Sequence, residues 1–255
     1  MRTAIISYKG GVGKTTTAVN LAAALARRGR RVLLVDLDPN ASASRSLGLE
    51  RQQLAPGAAD LMLFGRPAAE TVRRTGVANL DLIPATVDLA SVEVELGRLS
   101  RNERVLANKL VTFSGRYDFT FIDCPSGMGL LTRNALAAAN AFVVPLVPHF
   151  LAIHGLERLL EAVGRLRHRC QSDTRLLGIL PALADYRARA TRDSIAALRQ
   201  RFGNDVFITE IRVNTSLAEA PAYGQTIFDY RPRSTGARAY DHLAEEFLLR
   251  SGDPG

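Results

Sequence analysis

Lys9-Gly10-Gly11-Val12-Gly13-Lys14-Thr15-Thr16 decides how this chain folds. It follows a short apolar run, residues 4–7, and precedes a helical pattern that starts at Thr15. A strand that feeds a glycine-rich loop and opens onto a helix N-terminus is a layout that holds phosphates. The loop amides point inward, the helix dipole favours negative charge and a lysine neutralises it. A nucleoside triphosphate site is therefore expected here. In the common form of this loop a glycine stands where this chain has Tyr8, and a second lysine, Lys9, is added at the loop entrance.

Of the 33 basic residues only Lys9, Lys14 and Lys109 are lysine, and two of these lie in the loop. Elsewhere positive charge comes from arginine, whose planar fork suits phosphate oxygens in a tight cradle less well than a compact ammonium. The 255 residues allow one large α/β domain, and no proline-rich, serine-rich or low-complexity linker divides them. Cys124 and Cys170 are far apart and the four histidines form no H-E-x-x-H, so neither a disulfide framework nor a zinc site is indicated. With no signal peptide and no apolar run of membrane-spanning length, a cytoplasmic protein is expected. The net charge is +8, and between residues 158 and 201 ten arginines face only Glu161, Asp173, Asp185 and Asp193. That excess suits a polyanion such as DNA; a solvated helical face in an arginine-rich chain is the equal alternative.

Along the chain, residues 17–28 have helical spacing with Gly29 as a stop, and 31–36 form a buried strand ending in Asp36, followed by Asp38. Apolar runs ending in carboxylates are typical of parallel strands covered on both faces, whose ligands collect at the strands' carboxyl ends. A Ser/Ala-rich turn from Ala41, helical pieces at 61–64 and 68–73, a strand at 80–84 and helical spacing over 87–110, broken near Gly97, come next. Residues 117–125 form a strand ending in Asp123, an arrangement in which a carboxylate serves Mg²⁺ directly or through water. A capping aspartate is the plainer reading of such a residue in isolation. Helices at 131–140, 153–169, 192–202 and 234–250 alternate with strands at 141–146, 175–180 and 206–209. The last helix is expected to bury Ala237, Tyr240, Ala244, Phe247 and Leu248 and to expose Asp241, Glu245 and Glu246.

The loop is the deviant Walker A form, and with residues 35–39, 117–125, 131–136, 178–187, 217–224 and 230–240 the chain resembles ParA/Soj-type partition ATPases of the ParA/MinD family along nearly its whole length. The resemblance implies a single α/β P-loop NTPase domain over 1–255, with a mostly parallel twisted sheet, helices on both faces and no N-terminal helix-turn-helix extension. It implies an ATPase whose ATP- and Mg²⁺-bound form closes into a sandwich homodimer and binds double-stranded DNA without sequence preference at the nucleoid. A ParB-like or other adaptor then stimulates hydrolysis, so that a chromosome origin, plasmid or protein assembly is positioned.

By the same resemblance Lys14 contacts the β- and γ-phosphates, Thr15 holds Mg²⁺, and Thr16 with Gly10, Gly11, Val12 and Gly13 completes the cradle. Lys9 reaches the other subunit's phosphates, Asp38 positions the attacking water, Asp123 serves the metal through water and Asp36 stands behind it. Arg212 and Asn214 are the expected base contacts, with Arg212 where the family carries proline. Arg187 matches one DNA-binding arginine; the other position holds Ser216, which makes Arg189, Arg192, Arg199 and Arg201 candidates. The second motif reads Asp38-Pro39-Asn40-Ala41-Ser42 rather than Asp-Pro-Gln-Gly-Asn. Two other readings are a MinD-like membrane switch, which needs a basic amphipathic C-terminal helix that this chain lacks, and a metabolic P-loop enzyme of the same superfamily.

Overall fold

The apolar runs become strands whose side chains alternate between two buried layers. In the computed structural model, which describes residues 1–99 and 102–252, the strands are β1 (Arg2–Ile5), β2 (Val32–Asp36), β3 (Arg73–Arg74), β4 (Leu80–Ile83), β5 (Phe119–Asp123), β6 (Ala141–Leu146), β7 (Arg175–Ala184) and β8 (Ile211–Arg212). They form one sheet in the order β3-β4-β2-β5-β1-β6-β7-β8. All neighbouring pairs are parallel except β3 with β4.

The first helices are α1 (Lys14–Arg27), α2 (Ser42–Ser46), α3 (Ala58–Met62), α4 (Leu89–Gly97), α5 (Val105–Leu110) and α6 (Leu130–Ala138). They are followed by α7 (Phe150–Cys170), α8 (Arg189–Phe202), α9 (Thr215–Glu219), α10 (Ile227–Tyr230) and α11 (Thr235–Ser251). Because successive strand residues point to opposite faces, Val32, Leu34, Phe119 and Phe121 pack with Leu21 and Leu25 of α1 and Phe247 of α11. Leu33, Val35 and Ile122 pack on the other face with Leu61, Val92, Leu131 and Leu156. Ala22, Ala23 and Ala24 of α1 are fully buried, and their small side chains let α11 approach closely.

β5 lies between β1 and β2, so the segments leaving β1, β2 and β5 emerge side by side. The register places Asp123 opposite both Ile5 and Asp36. This is the crevice at strand carboxyl ends where ligands of open α/β sheets collect.

Four expectations need correction. The Ser/Ala-rich stretch after Ala41 is helical, as α2, because the Ser44 amide and hydroxyl are drawn onto the Asp36 carboxylate. Residues 68–73 are not one helical piece: a 3-10 turn covers Ala68–Thr71, after which Arg73 and Arg74 pair antiparallel with β4. Residues 206–209 make only a bridge from Val206 to Ile179, since the Ile208 and Thr209 amides donate to Glu246 instead of a ladder; the strand is β8. The acidic face of the last helix is correspondingly engaged rather than free. Asp241 and Glu245 bind Arg28 at the end of α1, and Glu246 binds Arg250. Among the described residues no helix is long and apolar enough to cross a membrane.

Candidate nucleotide-binding site

Two residues of the loop, Gly11 (φ 72°) and Gly13 (φ 87°), take the left-handed conformation that glycine adopts without a Cβ penalty. The turn they make aims the loop at a cleft of about 520 Å³. Gly10, Gly11, Gly13, Lys14, Thr15 and Thr16 line one side of it, with Asp38, Asn40, Ser126, Asn214 and Tyr240 around the rest.

Lys14 is buried, and its ammonium donates to the Ser126 hydroxyl at 2.9 Å and the Ser7 hydroxyl at 3.1 Å. Asp36 and Asp123 are also fully buried, side by side in the sheet. Asp36 accepts from the Ser44 amide and hydroxyl at 2.9 and 2.8 Å and from the Asp38 amide at 3.1 Å. Burial still raises it to about 6 against those bonds. Among the described residues, no donor meets hydrogen-bond geometry with either Asp123 oxygen. Burial pushes this carboxyl well above the usual range and the Asp36 charge adds to the shift, while the nearby Thr15 hydroxyl and Lys14 ammonium pull the other way.

A buried carboxylate without a donor is costly unless a cation completes it. The residues present fit a magnesium ion: Asp123 offers free oxygens, Thr15 offers a hydroxyl beside it, and the phosphate loop is adjacent. Among the described residues no three His, Cys, Asp or Glu converge into a metal cage. Magnesium usually takes few protein ligands and completes its shell with water and phosphate oxygens.

Asp38 is half-buried at the cleft wall, and its carboxylate accepts from both the amide and the side chain of Asn40, at 3.0 and 2.9 Å. Lys9 is exposed at the loop entrance and its side chain has no partner among the described residues; it borders a separate, apolar pocket with Val12. Asn214 reaches the cleft but also caps α9, accepting from the Leu217 amide at 3.1 Å and donating to Thr235. Arg212 does not reach it. On β8 Ile211 faces the cleft, so its neighbour points to the other side, where the Arg212 guanidinium lies over the Tyr186 ring at 4.5 Å.

The candidate DNA-binding arginines cluster on and just before α8, with carboxylates interleaved. Arg187 pairs with Asp185 and holds it at about 2, mainly through side-chain hydrogen bonds; Arg189 pairs with Asp193 and Arg201 with Glu157. All three guanidiniums remain largely exposed. Arg192 is exposed without a partner among the described residues. Arg199 differs, since it is drawn in to Glu210 at 2.9 Å and to the Ile208 carbonyl, which makes it a brace for the segment before β8. Ser216 is buried, and its hydroxyl accepts from Arg231 at 3.5 Å.

Sequence reasoning missed Ser7, Ser44, Ser126 and Asn40, which hold Lys14, Asp36 and Asp38. Only Asn40 had a signal, as part of the altered second motif. Both thiols are buried, and burial pushes Cys124 well up, so neither is a ready nucleophile or surface cluster ligand.

Comparison with known proteins identifies the family. The AAA domain family matches residues 2–176. The chain is 43% identical to the chromosome-partitioning ATPase Soj of Thermus thermophilus, covering 98% of this chain and 96% of that protein. It is 40% identical to the sporulation initiation inhibitor protein Soj of Bacillus subtilis, covering 95% and 96%. A solved structure from Mycobacterium smegmatis, described as cobyrinic acid a,c-diamide synthase with bound ATP analog and magnesium, superposes with a TM-score of 0.84 at 33% identity over 98% of this chain and 96% of that one. With relatives this similar over nearly its full length and a phosphate loop backed by two buried carboxylates, the chain belongs to the ParA/Soj family of partitioning ATPases.

Proposed function

We propose that this ATPase is a dimerising switch that binds ATP with Mg²⁺, associates with nonspecific double-stranded DNA in its ATP form, and positions or segregates a cargo through an adaptor that stimulates hydrolysis. The observation that carries the reading is the buried Asp123 carboxylate, with the Thr15 hydroxyl beside it, next to a glycine loop whose lysine is buried and already oriented. When bound, Mg²⁺ neutralises phosphate charge. Asp123 and Thr15 would hold it, with Asp36 behind them fixing the neighbouring loop through Ser44 and Asp38.

Lys14 supplies the positive charge on the chain's own side of the cleft. Asp38, held by Asn40, accepts a hydrogen bond from a water and orients it; positioning and charge, more than proton removal, drive phosphoryl transfer. Lys9 is the cation without a task in its own cleft. Reaching a second copy's phosphates, it would add charge only on dimerisation and so couple hydrolysis to assembly. Asn214 is the base contact this chain can offer. Arg187, Arg189, Arg192 and Arg201 form a salt-sensitive surface for a polyanion.

Sedimentation velocity with and without a nonhydrolysable ATP analog, together with retardation of random-sequence duplex DNA, tests the reading. An ATP-dependent dimer that alone retards DNA is expected. A monomer under all conditions, or DNA binding indifferent to nucleotide, would overturn the switch.

A further inference from the structure

Lys14 and Asp123 are both buried in one cleft, yet they form no ion pair, and among the described residues no donor meets hydrogen-bond geometry with Asp123, beside which only the Thr15 hydroxyl stands. In a poorly solvated pocket such a pair attracts strongly, so something must hold it apart. The Lys14 ammonium has three protons and finds three oxygens, none of them from Asp123: Ser126 Oγ at 2.9 Å, Ser7 Oγ at 3.1 Å and the Lys9 carbonyl at 3.5 Å. The Ser7 hydroxyl donates its own proton to the Lys9 carbonyl at 2.7 Å, which turns a lone pair toward Lys14.

Ser126 is fixed no less firmly. The Gly127 amide donates to the Ser7 carbonyl at 3.0 Å, with Gly127 at φ 87° to make the turn. Three residues on, the Leu130 amide donates to the Glu93 carboxylate at 2.6 Å, and that carboxylate fills the space a Cβ on Gly129 would need. The segment between β5 and α6 is thus pinned at both ends, with the Ser126 hydroxyl presented to the lysine between them.

We propose that Ser126 is a positioning residue whose hydroxyl, with that of Ser7, holds the Lys14 ammonium off the Asp123 carboxylate, so that both charges stay available to an incoming nucleotide and its magnesium ion. The inference rests on the nucleotide site proposed above. Without the Ser126 hydroxyl, Lys14 keeps one good acceptor and one long one, and its remaining proton turns to Asp123. Magnesium must then displace an internal cation, whereas the phosphates meet a lysine that is still present.

The test is binding of a fluorescent ADP analog to the full chain, titrated with Mg²⁺, for the unaltered protein, Ser126→Ala and Ser126→Thr, with circular dichroism melts to verify folding. Ser126→Ala should raise the Mg²⁺ concentration at half-saturation about tenfold, the equivalent of one hydrogen bond to a charged group. Its affinity without magnesium should change much less. Ser126→Thr, which keeps the hydroxyl, should restore the magnesium response, and Ser7→Ala should shift it in the same direction as Ser126→Ala. A magnesium titration unchanged in Ser126→Ala, or equally impaired in Ser126→Thr, would overturn the proposal. Failure of the unaltered chain to bind the analog would overturn the nucleotide reading itself, and this inference with it.

Discussion

The hydroxyls of Thr17 and Tyr240 meet at 3.3 Å inside the core, tying the helix that follows the phosphate loop to a helix 223 residues further along the chain. Tyr240 is buried on every side, which pushes its phenol up, and it also borders the nucleotide cleft. Tyr240→Phe leaves the Thr17 hydroxyl without this partner and should lower stability by about 1 kcal/mol, while Tyr240→Ala adds a cavity and should cost about 3–5 kcal/mol. Urea denaturation without nucleotide checks both values.

Asp123→Asn should separate stability from function. Burial disfavours the ionised form of this carboxyl and no donor among the described residues meets hydrogen-bond geometry with it, so an amide that cannot ionise should stabilise the nucleotide-free chain by about 1 kcal/mol. The same change should abolish the additional thermal shift that Mg²⁺ gives over nucleotide alone. Differential scanning fluorimetry with ADP, with and without Mg²⁺, reads both.

Lys9→Ala and Asp38→Ala should fail in different ways. The Lys9 side chain has no partner among the described residues, so its loss should leave ADP affinity nearly intact while reducing ATP-dependent dimer formation and turnover. Asp38→Ala should keep ATP binding and the dimer and reduce turnover at least about a hundredfold, the usual scale for a positioned polar group. Loss of nucleotide binding in Asp38→Ala would refute its role.

Arg187→Ala and Arg199→Ala provide a second contrast. Arg187 is exposed and, among the described residues, bound only to Asp185, so its removal should weaken DNA retardation and reduce the salt dependence by about one counterion, without altering ATP affinity. Arg199 braces Glu210 and a backbone carbonyl, so its removal should lower the melting temperature more than DNA binding.

Acid should loosen the docking of α11 through Glu246. Burial raises this carboxyl, but the amides of Thr209 and Ile208, the Thr209 side chain and Arg250 together outweigh burial and leave it below the ordinary glutamate value. A depressed value means that its contribution is complete above the unfolded-state pKa and is lost as pH falls through the folded one. Stability should therefore decline below about pH 4, and Glu246→Gln should flatten that limb of the urea-midpoint profile while lowering the neutral plateau.

The parts of this molecule that follow from local pattern were readable in the sequence. The glycines between Lys9 and Lys14 announce a phosphate loop, and the runs ending in Asp36 and Asp123 announce buried parallel strands, so the loop and both carboxylates could be placed at one crevice. What escaped depends on partners distant in sequence. Nothing near Ser126 says that its hydroxyl meets Lys14, and nothing near Glu246 says that it will take two amides out of a strand. Arg212 was misplaced because β8 is two residues long, too short for its alternation to be read before Ile211 is known to face the cleft.

The seam between α1 and α11 sets an order of events during synthesis. The phosphate loop and its helix are made early, but their covering face arrives only after every strand of the sheet. Until then the alanine surface of α1 and the amides at the loop are made without Tyr240 or the carboxylates that clasp Arg28, so the cleft gains its last wall only when the chain is nearly finished.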